Sequence, residues 1–542
     1  MKFEFLFCHK EYIMSDTKKQ SFLHGTMLLA MSTAIVKVIG AFYSIPLNAI
    51  IGEQGFGYYS TAYEIYTVLL MISTAGLPVA MSRMISEASS LGHYKQVRKI
   101  YTVARTIFLS LGLFGALLMT VFCKQLAAFQ EQPDAWAAIG TLGPCCFLIC
   151  LMSTYRGFFQ GQSNMKPTSV SQVLEALCKL IVGIAAAVLL GIYTQSKAYA
   201  AAGAIFGVTM SCLLSSVYLN YCFRKAYKEM PVTAEEVSSG KDIAKSLLAI
   251  AVPITIGSAG LQFLTVLETK IYMSRLLEFM TQQDADIQKG IYNFTQKIFN
   301  MPCAFITPIT VSVIPAITAQ LTRKEHKAVK ATEESAARVA ALISAPCAVG
   351  LVVLAGPVTA LLGGYQGERL VLATNLMVVL GICILFNALV LVTNAIMQAH
   401  GHVNIPVINM FVGGIVKLVA VFILTGNQKI GILGTPIGSL LCYLSITMLN
   451  LFAMRRVLEH PPAIVKNVLR ACLAAVCMGV LTYIAWFGLT KLGISSRVIL
   501  CGGPICVGVV AYALAAVKFR AITREDCLLL PKGAKIAKLL HL

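Results

Sequence analysis

Four lysines, Lys37, Lys179, Lys297 and Lys417, each interrupt a long apolar run. A cation at that depth in lipid is costly, so such a residue faces protein or water and commonly marks a substrate or ion path. The four differ in their local company. Glu175 stands four residues before Lys179, the favourable order for a same-face pair, so Lys179 is expected to be partly neutralised and structural. Lys417 has Gly413 and Gly414 where that acid would be, which leaves its charge uncompensated within its own helix and lets a neighbour approach closely. Lys37 and Lys297 also lack an acid one turn away, and Glu64 is the expected partner of Lys37 across helices. Two readings follow: a water-filled cationic cavity that favours an anionic substrate, or a set of inter-helix salt bridges.

The chain writes one stretch twice. Gln160-Gly-Gln-Ser-Asn-Met-Lys-Pro167 leads into the run that carries Lys179, and Gln398-Ala-His-Gly-His-Val-Asn-Ile-Pro406 into the run that carries Lys417. The lysine falls 19 positions after the glutamine in both. A second pair is Gly57-Tyr-Tyr-Ser-Thr-Ala-Tyr-Glu-Ile-Tyr66 and Gly290-Ile-Tyr-Asn-Phe-Thr-Gln-Lys-Ile-Phe299, in which Glu64 answers Lys297. Duplication of this kind places a transporter's site where the halves meet. Prolines follow both copies: Pro78 after the first, and Pro302, Pro308 and Pro315 after the second. They are candidate conformational hinges or static kinks.

Hydrophobic residues make up 57% of the 542, charged residues 13%, and the mean hydropathy is +0.76. A soluble chain is nearer half apolar and a quarter charged, so this is an all-α polytopic membrane protein. Fourteen apolar spans are expected, at 25–51, 58–82, 101–123, 135–158, 168–192, 199–222, 243–267, 290–318, 337–361, 370–397, 404–425, 431–454, 467–490 and 495–518. One set of alternate loops holds 30 Lys and Arg against 9 in the other, which puts both termini in the cytoplasm. The expected organisation is a cytoplasmic N-terminus (1–22), a first lobe of six helices (23–222), a cytoplasmic linker (223–245), a second six-helix lobe (246–456), two further helices (457–518) and a cytoplasmic tail (519–542). The lobes would be related by a pseudo-twofold along the membrane normal. Met14 is an alternative start to Met1, and no cleavage site of a signal peptide is visible.

The formal charge of +20 follows the loops, so nucleic acid is not an expected partner. The 17 cysteines sit mostly in apolar runs and form no CxxC pair, so neither a metal nor a disulfide framework is expected. There is no GxSxG, HExxH or Walker loop, no paired acids lie in a long external loop, and no cofactor is implied. His400-Gly-His402 has no acids or cysteines beside it in sequence and reads as structural, and Gly52-Glu-Gln-Gly-Phe-Gly57 as a tight turn. The protein is not expected to be an enzyme.

Leu23-His-Gly-Thr26 with Val36-Lys-Val-Ile-Gly-Ala-Phe-Tyr43, Tyr63-Glu-Ile-Tyr-Thr67, Gly76-Leu-Pro-Val-Ala-Met-Ser-Arg83 and Leu91-Gly-His-Tyr94 resemble the bacterial polysaccharide and lipid-linked-oligosaccharide transporters. These belong to the multidrug/oligosaccharidyl-lipid/polysaccharide exporter superfamily, in the branch of the stage V sporulation protein B type and the MurJ-like lipid II flippases. The resemblance covers about 20–518. It implies two lobes around a central cavity that opens alternately to each side of a bacterial plasma membrane, in a monomer. Cations that hold the substrate's diphosphate would fall on Lys37 and on Lys297, the latter within Lys297-Ile-Phe-Asn-Met-Pro302. The pattern departs at Tyr43, where a second cation is expected, and at Thr67-Val-Leu-Leu70, where a basic pair is. Lysine in place of arginine gives a point charge rather than a bidentate fork.

The implied substrate is an anionic polyprenyl-diphosphate-linked oligosaccharide, lipid II or a related precursor. Lys37 and Lys297 would meet its diphosphate, Lys417 would line the groove for the lipid tail, and Asn387, Asn394 and Gln160 would contact sugar or join helices. Membrane lipids and a coupling ion, H⁺ or Na⁺, are the further expected partners, with membrane potential as an alternative driving force. The rivals are a cation-coupled multidrug antiporter, which would need carboxylates facing the cavity, and a membrane glycan polymerase or ligase.

Overall fold

The structure, a computed structural model, describes residues 22–494, 496–519 and 521, and every regular element among them is helical. Both expected terminal segments and the choice between Met1 and Met14 lie largely or wholly outside the described residues. The N-terminal half of the chain forms α1 (Phe22–Met71), α2 (Leu77–Ser90), α3 (Tyr94–Val121), the short α4 (Cys123–Phe129), α5 (Trp136–Gly161), α6 (Lys166–Thr194) and α7 (Lys197–Glu229). After the irregular segment 230–239 come α8 (Gly240–Leu276), α9 (Gln282–Thr322), α10 (His326–Val353), the short α11 (Ala355–Leu362), α12 (Gly367–Ala399), α13 (Asn404–Thr425) and α14 (Gly434–Val457). Finally α15 (Ile464–Lys491) and α16 (Arg497–Lys518) pack on each other and, through α15, on α10.

Twelve of the described segments are long and apolar enough to cross a bilayer. The first of them, Met31–Ser90, is 60 residues long, about 90 Å as straight helix, three times a hydrocarbon core. It is broken where the sequence places its turn, at Gly52 (φ 72°, ψ 178°), and again by a π turn over Ile72–Gly76. Pro78 follows that π turn within the first turn of α2, where a missing N–H costs nothing. Pro302 lies within the unbroken α9, and the side chains of Pro308 and Pro315 lie outside the described residues.

Two expected boundaries shift. The loop expected over 268–289 shrinks to 277–281, because α8 runs on to Leu276 and Thr281 caps α9 by accepting from the Asp284 amide at 3.2 Å. Lys297 therefore lies fifteen residues into its helix, about 22 Å from the end rather than near it. The linker likewise shortens to 230–239. It is tied to α3, where the Lys95 and Gln96 amides donate to the Glu235 carboxylate at 2.6 and 3.0 Å.

These contacts set two ends. The turns at 91–93 and 162–165, the linker 230–239 and the turns at 323–325, 400–403 and 458–463 lie at the end with most of the loop Lys and Arg, the basic end. The Gly52 break, the 130–135 turn and the turns at 277–281, 363–366 and 426–433 lie at the other, distal end. The chain's two halves meet through α1 and α9, and through α2 and α3 against α8. The largest buried apolar cluster draws residues from both halves, with Phe56 of α1 edge-on to Phe294 of α9 at 5.7 Å.

The repeated segments are where the halves touch. Gly57 and Gly290 start the second repeat, and their backbones pack together. A Cβ at Gly290 would lie 1.7 Å from the Glu53 carbonyl oxygen, and one at Gly57 would lie 3.0 Å from the Asp286 carbonyl oxygen. The first repeat falls on two matching units, α5–turn–α6 and α12–turn–α13. Lys179 and Lys417 each stand thirteen positions after the first residue of their helix, Lys166 and Asn404.

Candidate functional site

Lys37, Lys179 and Lys297 come from α1, α6 and α9, three helices that pack on one another through α1. Lys37 sits midway along the first limb of α1 and is exposed. It lies within electrostatic reach of Cys303 on α9, which also interacts with the Asn387 amide of α12. Lys297 is half-buried and feels the Glu64 carboxylate, and Lys179 feels the Lys297 ammonium. Two ammonium groups at membrane depth, Lys179 and Lys297, therefore lie within electrostatic reach of each other at the junction of the two halves, and Lys37 faces Cys303 six residues further along α9. Cations so placed stabilise a mobile anion far more strongly than the same charges would in bulk water.

The expected ion pairs are re-matched. Glu175 pairs with Arg156 of α5 at 2.9 Å instead of Lys179. The Lys179 ammonium donates to the Tyr63 hydroxyl at 2.7 Å and stands over the rings of Tyr63 (4.5 Å) and Tyr43 (5.1 Å). Tyr43 is the position at which a second α1 cation was expected, so α6 brings a cation to the ring that replaces it. Glu64 does not take Lys37 as its ion-pair partner; its carboxylate lies 3.7 Å from the Lys289 ammonium.

Lys289 escaped the sequence reading, which left it in a polar loop. It is 0% exposed, donates to the Thr61 hydroxyl at 2.5 Å and lies 6.0 Å from the Tyr272 ring. Around it runs a buried polar network that ties α1, the 130–134 turn and α9 together at the distal end. Tyr58 bonds to Asp286 at 3.0 Å and to Asp134 at 3.2 Å, Gln132 donates to Asp286 at 2.9 Å, and Thr61 bonds to Gln132. Lys270 of α8 pairs with Glu131, and Arg369 of α12 with Glu53 at 3.1 Å. The signal in the sequence was the Asp286–Lys289 spacing of one helical turn, ahead of Lys297 on the same helix.

Lys417 is compensated from another helix: Glu268 of α8 lies 2.6 Å away and is nearly buried. A cavity of about 160 Å³ adjoins the pair, lined by Gly414, Met410 and Tyr443 among others. The glycines admit helices, Gly413 meeting Ile446 of α14 and Gly414 meeting Leu264 of α8. Asn394 is committed to joining helices, accepting from Asn450 at 2.7 Å and facing the Met410 sulfur at 3.4 Å. Gln160 ends α5 at the basic end, apart from the junction lysines. Among the described residues no group of three His, Cys, Asp or Glu is placed to hold a metal ion, and His400 pairs with buried Glu333 at 2.7 Å.

Twelve membrane-length apolar segments among the described residues define a multi-pass membrane protein. Residues 22–321 match the polysaccharide biosynthesis protein family, and residues 279–372 match a second family of the same description. The chain belongs to the polysaccharide biosynthesis protein family. It is 25% identical over 520 residues to stage V sporulation protein B of Bacillus subtilis (strain 168), covering 95% of this chain and 98% of that one. It is 24% identical over 413 residues to the lipid II flippase MurJ of the same organism, covering 73% and 76%. The fold is that of a solved lipid II flippase MurJ in an inward closed conformation, with a TM-score of 0.68 at 13% identity over 91% of this chain and 99% of that one.

Proposed function

We propose that this chain is a flippase that carries an anionic polyprenyl-diphosphate-linked oligosaccharide across a bacterial plasma membrane by alternating access. The observation that supports it most is the pair of ammonium groups, Lys179 and Lys297, brought within electrostatic reach of each other from α6 and α9 beside α1, the helix that carries Lys37. Lys37 and Lys297 meet the diphosphate, and Lys179 adds charge from the α6 side. Its sugar meets Asn387, and its lipid tail lies along the second lobe beside Lys417. The buried distal network holds one end shut, and substrate enters from the basic end, which is the cytoplasmic side, once α2 and α3 part from α8. Opening the distal end requires α1 and α9 to part at Gly57 and Gly290, with the π turn before Pro78 and the proline-bearing stretch of α9 taking up the bend.

In this reading the two limbs of the first segment count separately and α9 adds one more, giving fourteen crossings. Residues 23–222 and 246–456 form the two lobes, 457–518 an appended pair, and the protein works as a monomer with H⁺, Na⁺ or the membrane potential as its driving force. A multidrug antiporter would want free acids at the centre, whereas Glu64, Glu175 and Glu268 are all paired with cations. The test is leaflet translocation of lipid II in cells depleted of their own flippase and expressing this protein. Restored flipping supports the reading. Absence of flipping with lipid II and with other undecaprenyl-diphosphate glycans sinks it.

A further inference from the structure

A second cationic site lies at the basic end, away from the junction lysines. A cavity of about 420 Å³ is walled on one side by Lys95, Arg98, Lys99 and Thr102 of α3 and on the other by linker residues 237–239 and the first residue of α8. Among the described residues none of its three cations has a carboxylate partner. Lys95 Nζ reaches only the Glu235 carbonyl at 3.5 Å, and Arg98 Nη2 donates to the carbonyls of Met230 (2.9 Å) and Tyr227 (3.4 Å). Arg98 Nε is buried with no hydrogen-bond partner, and Lys99 is exposed. Of the acids that flank the cavity in sequence, Glu235 accepts from the backbone amides that open α3, Asp242 accepts from the Ser239 hydroxyl at 2.7 Å, and Glu236 is exposed to solvent. The N-terminus of α8 adds its own partial positive charge to the cavity wall.

We propose that this cavity binds a phosphate group, presented by an anionic lipid headgroup or by a free phosphate. The charge pattern along α3 suits the first source. From Lys99 the same face runs through Thr102, Thr106 and Ser110 to exposed Leu113 and Leu117, passing from cation to hydroxyl to apolar as a lipid does from head to chain. An occupant bridges α3 of the first half and the start of α8 in the second. It therefore stabilises the arrangement in which those helices lie together, and binding is linked to the conformational equilibrium. The site stands independently of the transported substrate.

The experiment is calorimetric titration of the detergent-solubilised full chain with dihexanoyl phosphatidic acid, inorganic phosphate and dihexanoyl phosphatidylcholine. The variant is Lys95→Gln/Lys99→Gln, which alters two exposed side chains; the control is Lys225→Gln/Lys228→Gln, which removes the same charge from exposed positions at the same end, outside the cavity. Saturable phosphatidic acid binding that weakens about tenfold or more in the first pair and less than about twofold in the control supports the site. Competition by inorganic phosphate assigns it to free phosphate as well, and its failure to compete assigns it to the headgroup. No saturable binding of either phosphate probe, or equal weakening in both pairs, overturns it.

Discussion

Lys289→Met removes the cation from the most deeply buried ion pair between the two halves. The ammonium lies 3.7 Å from the Glu64 carboxylate and is fully buried, so at an effective dielectric of about 20 their attraction is about 4 kcal/mol. The bond to Thr61 goes with it. Breaking such a pair from one side leaves Glu64 with only the more distant Lys297 ammonium and costs up to about 3–5 kcal/mol. If that cost falls on the state with the distal end shut, its population relative to the open state drops by up to roughly a hundredfold. Labels carried by non-canonical residues at Gln195 and Gln428, exposed on the distal turns of the two halves, report the opening by pulsed dipolar spectroscopy. The distance distribution should broaden to longer values in Lys289→Met and return toward that of the wild type in Lys289→Met/Glu64→Gln, where neither member of the pair is left charged. An unchanged distribution in the single variant, or no recovery in the double, refutes the reasoning.

Lys417→Met should destabilise the detergent-solubilised protein by about 3–5 kcal/mol in denaturant unfolding, and adding Glu268→Leu should recover most of the loss. Gly290→Ala drives a methyl into the Glu53 carbonyl, so it should shift the same label distances in the direction of Lys289→Met or abolish folding yield. At the basic end, desolvation pushes the Glu235 carboxyl up, but hydrogen bonds from the Thr233 hydroxyl and the amides of Glu235, Gln96 and Lys95 outweigh it and hold its pKa at about 2 instead of 4.5. Linker docking is therefore favoured above about pH 4.5 and loses that contribution as pH falls toward about 2. Hydrogen exchange at the Lys95 and Gln96 amides, relative to Glu235→Gln, should show protection that fades across that window and is absent in the variant.

What was legible in the sequence was what periodicity and duplication encode. The apolar runs, the break at Gly52 and the placement of both Gln-to-Lys stretches on matching helix–turn–helix units follow from local composition. The pairings were not legible, because a lysine's partner depends on which helices pack side by side. Glu175 finds Arg156 across α5 and α6, and Lys417 finds Glu268 across α8 and α13, neither of which has a local signature. Lys289 was lost for a related reason. A charge in a polar stretch reads as solvated, and only the burial of α9's first turns against α1 makes it the inter-half partner of Glu64.

The most direct test of the cationic junction compares lipid II translocation by the wild type with that by Lys37→Ala and Lys297→Ala, at matched expression, in cells depleted of their own flippase. The account predicts that the wild type restores flipping and that both variants lose it. Flipping by either variant at the wild-type rate would show that these lysines do not hold the diphosphate.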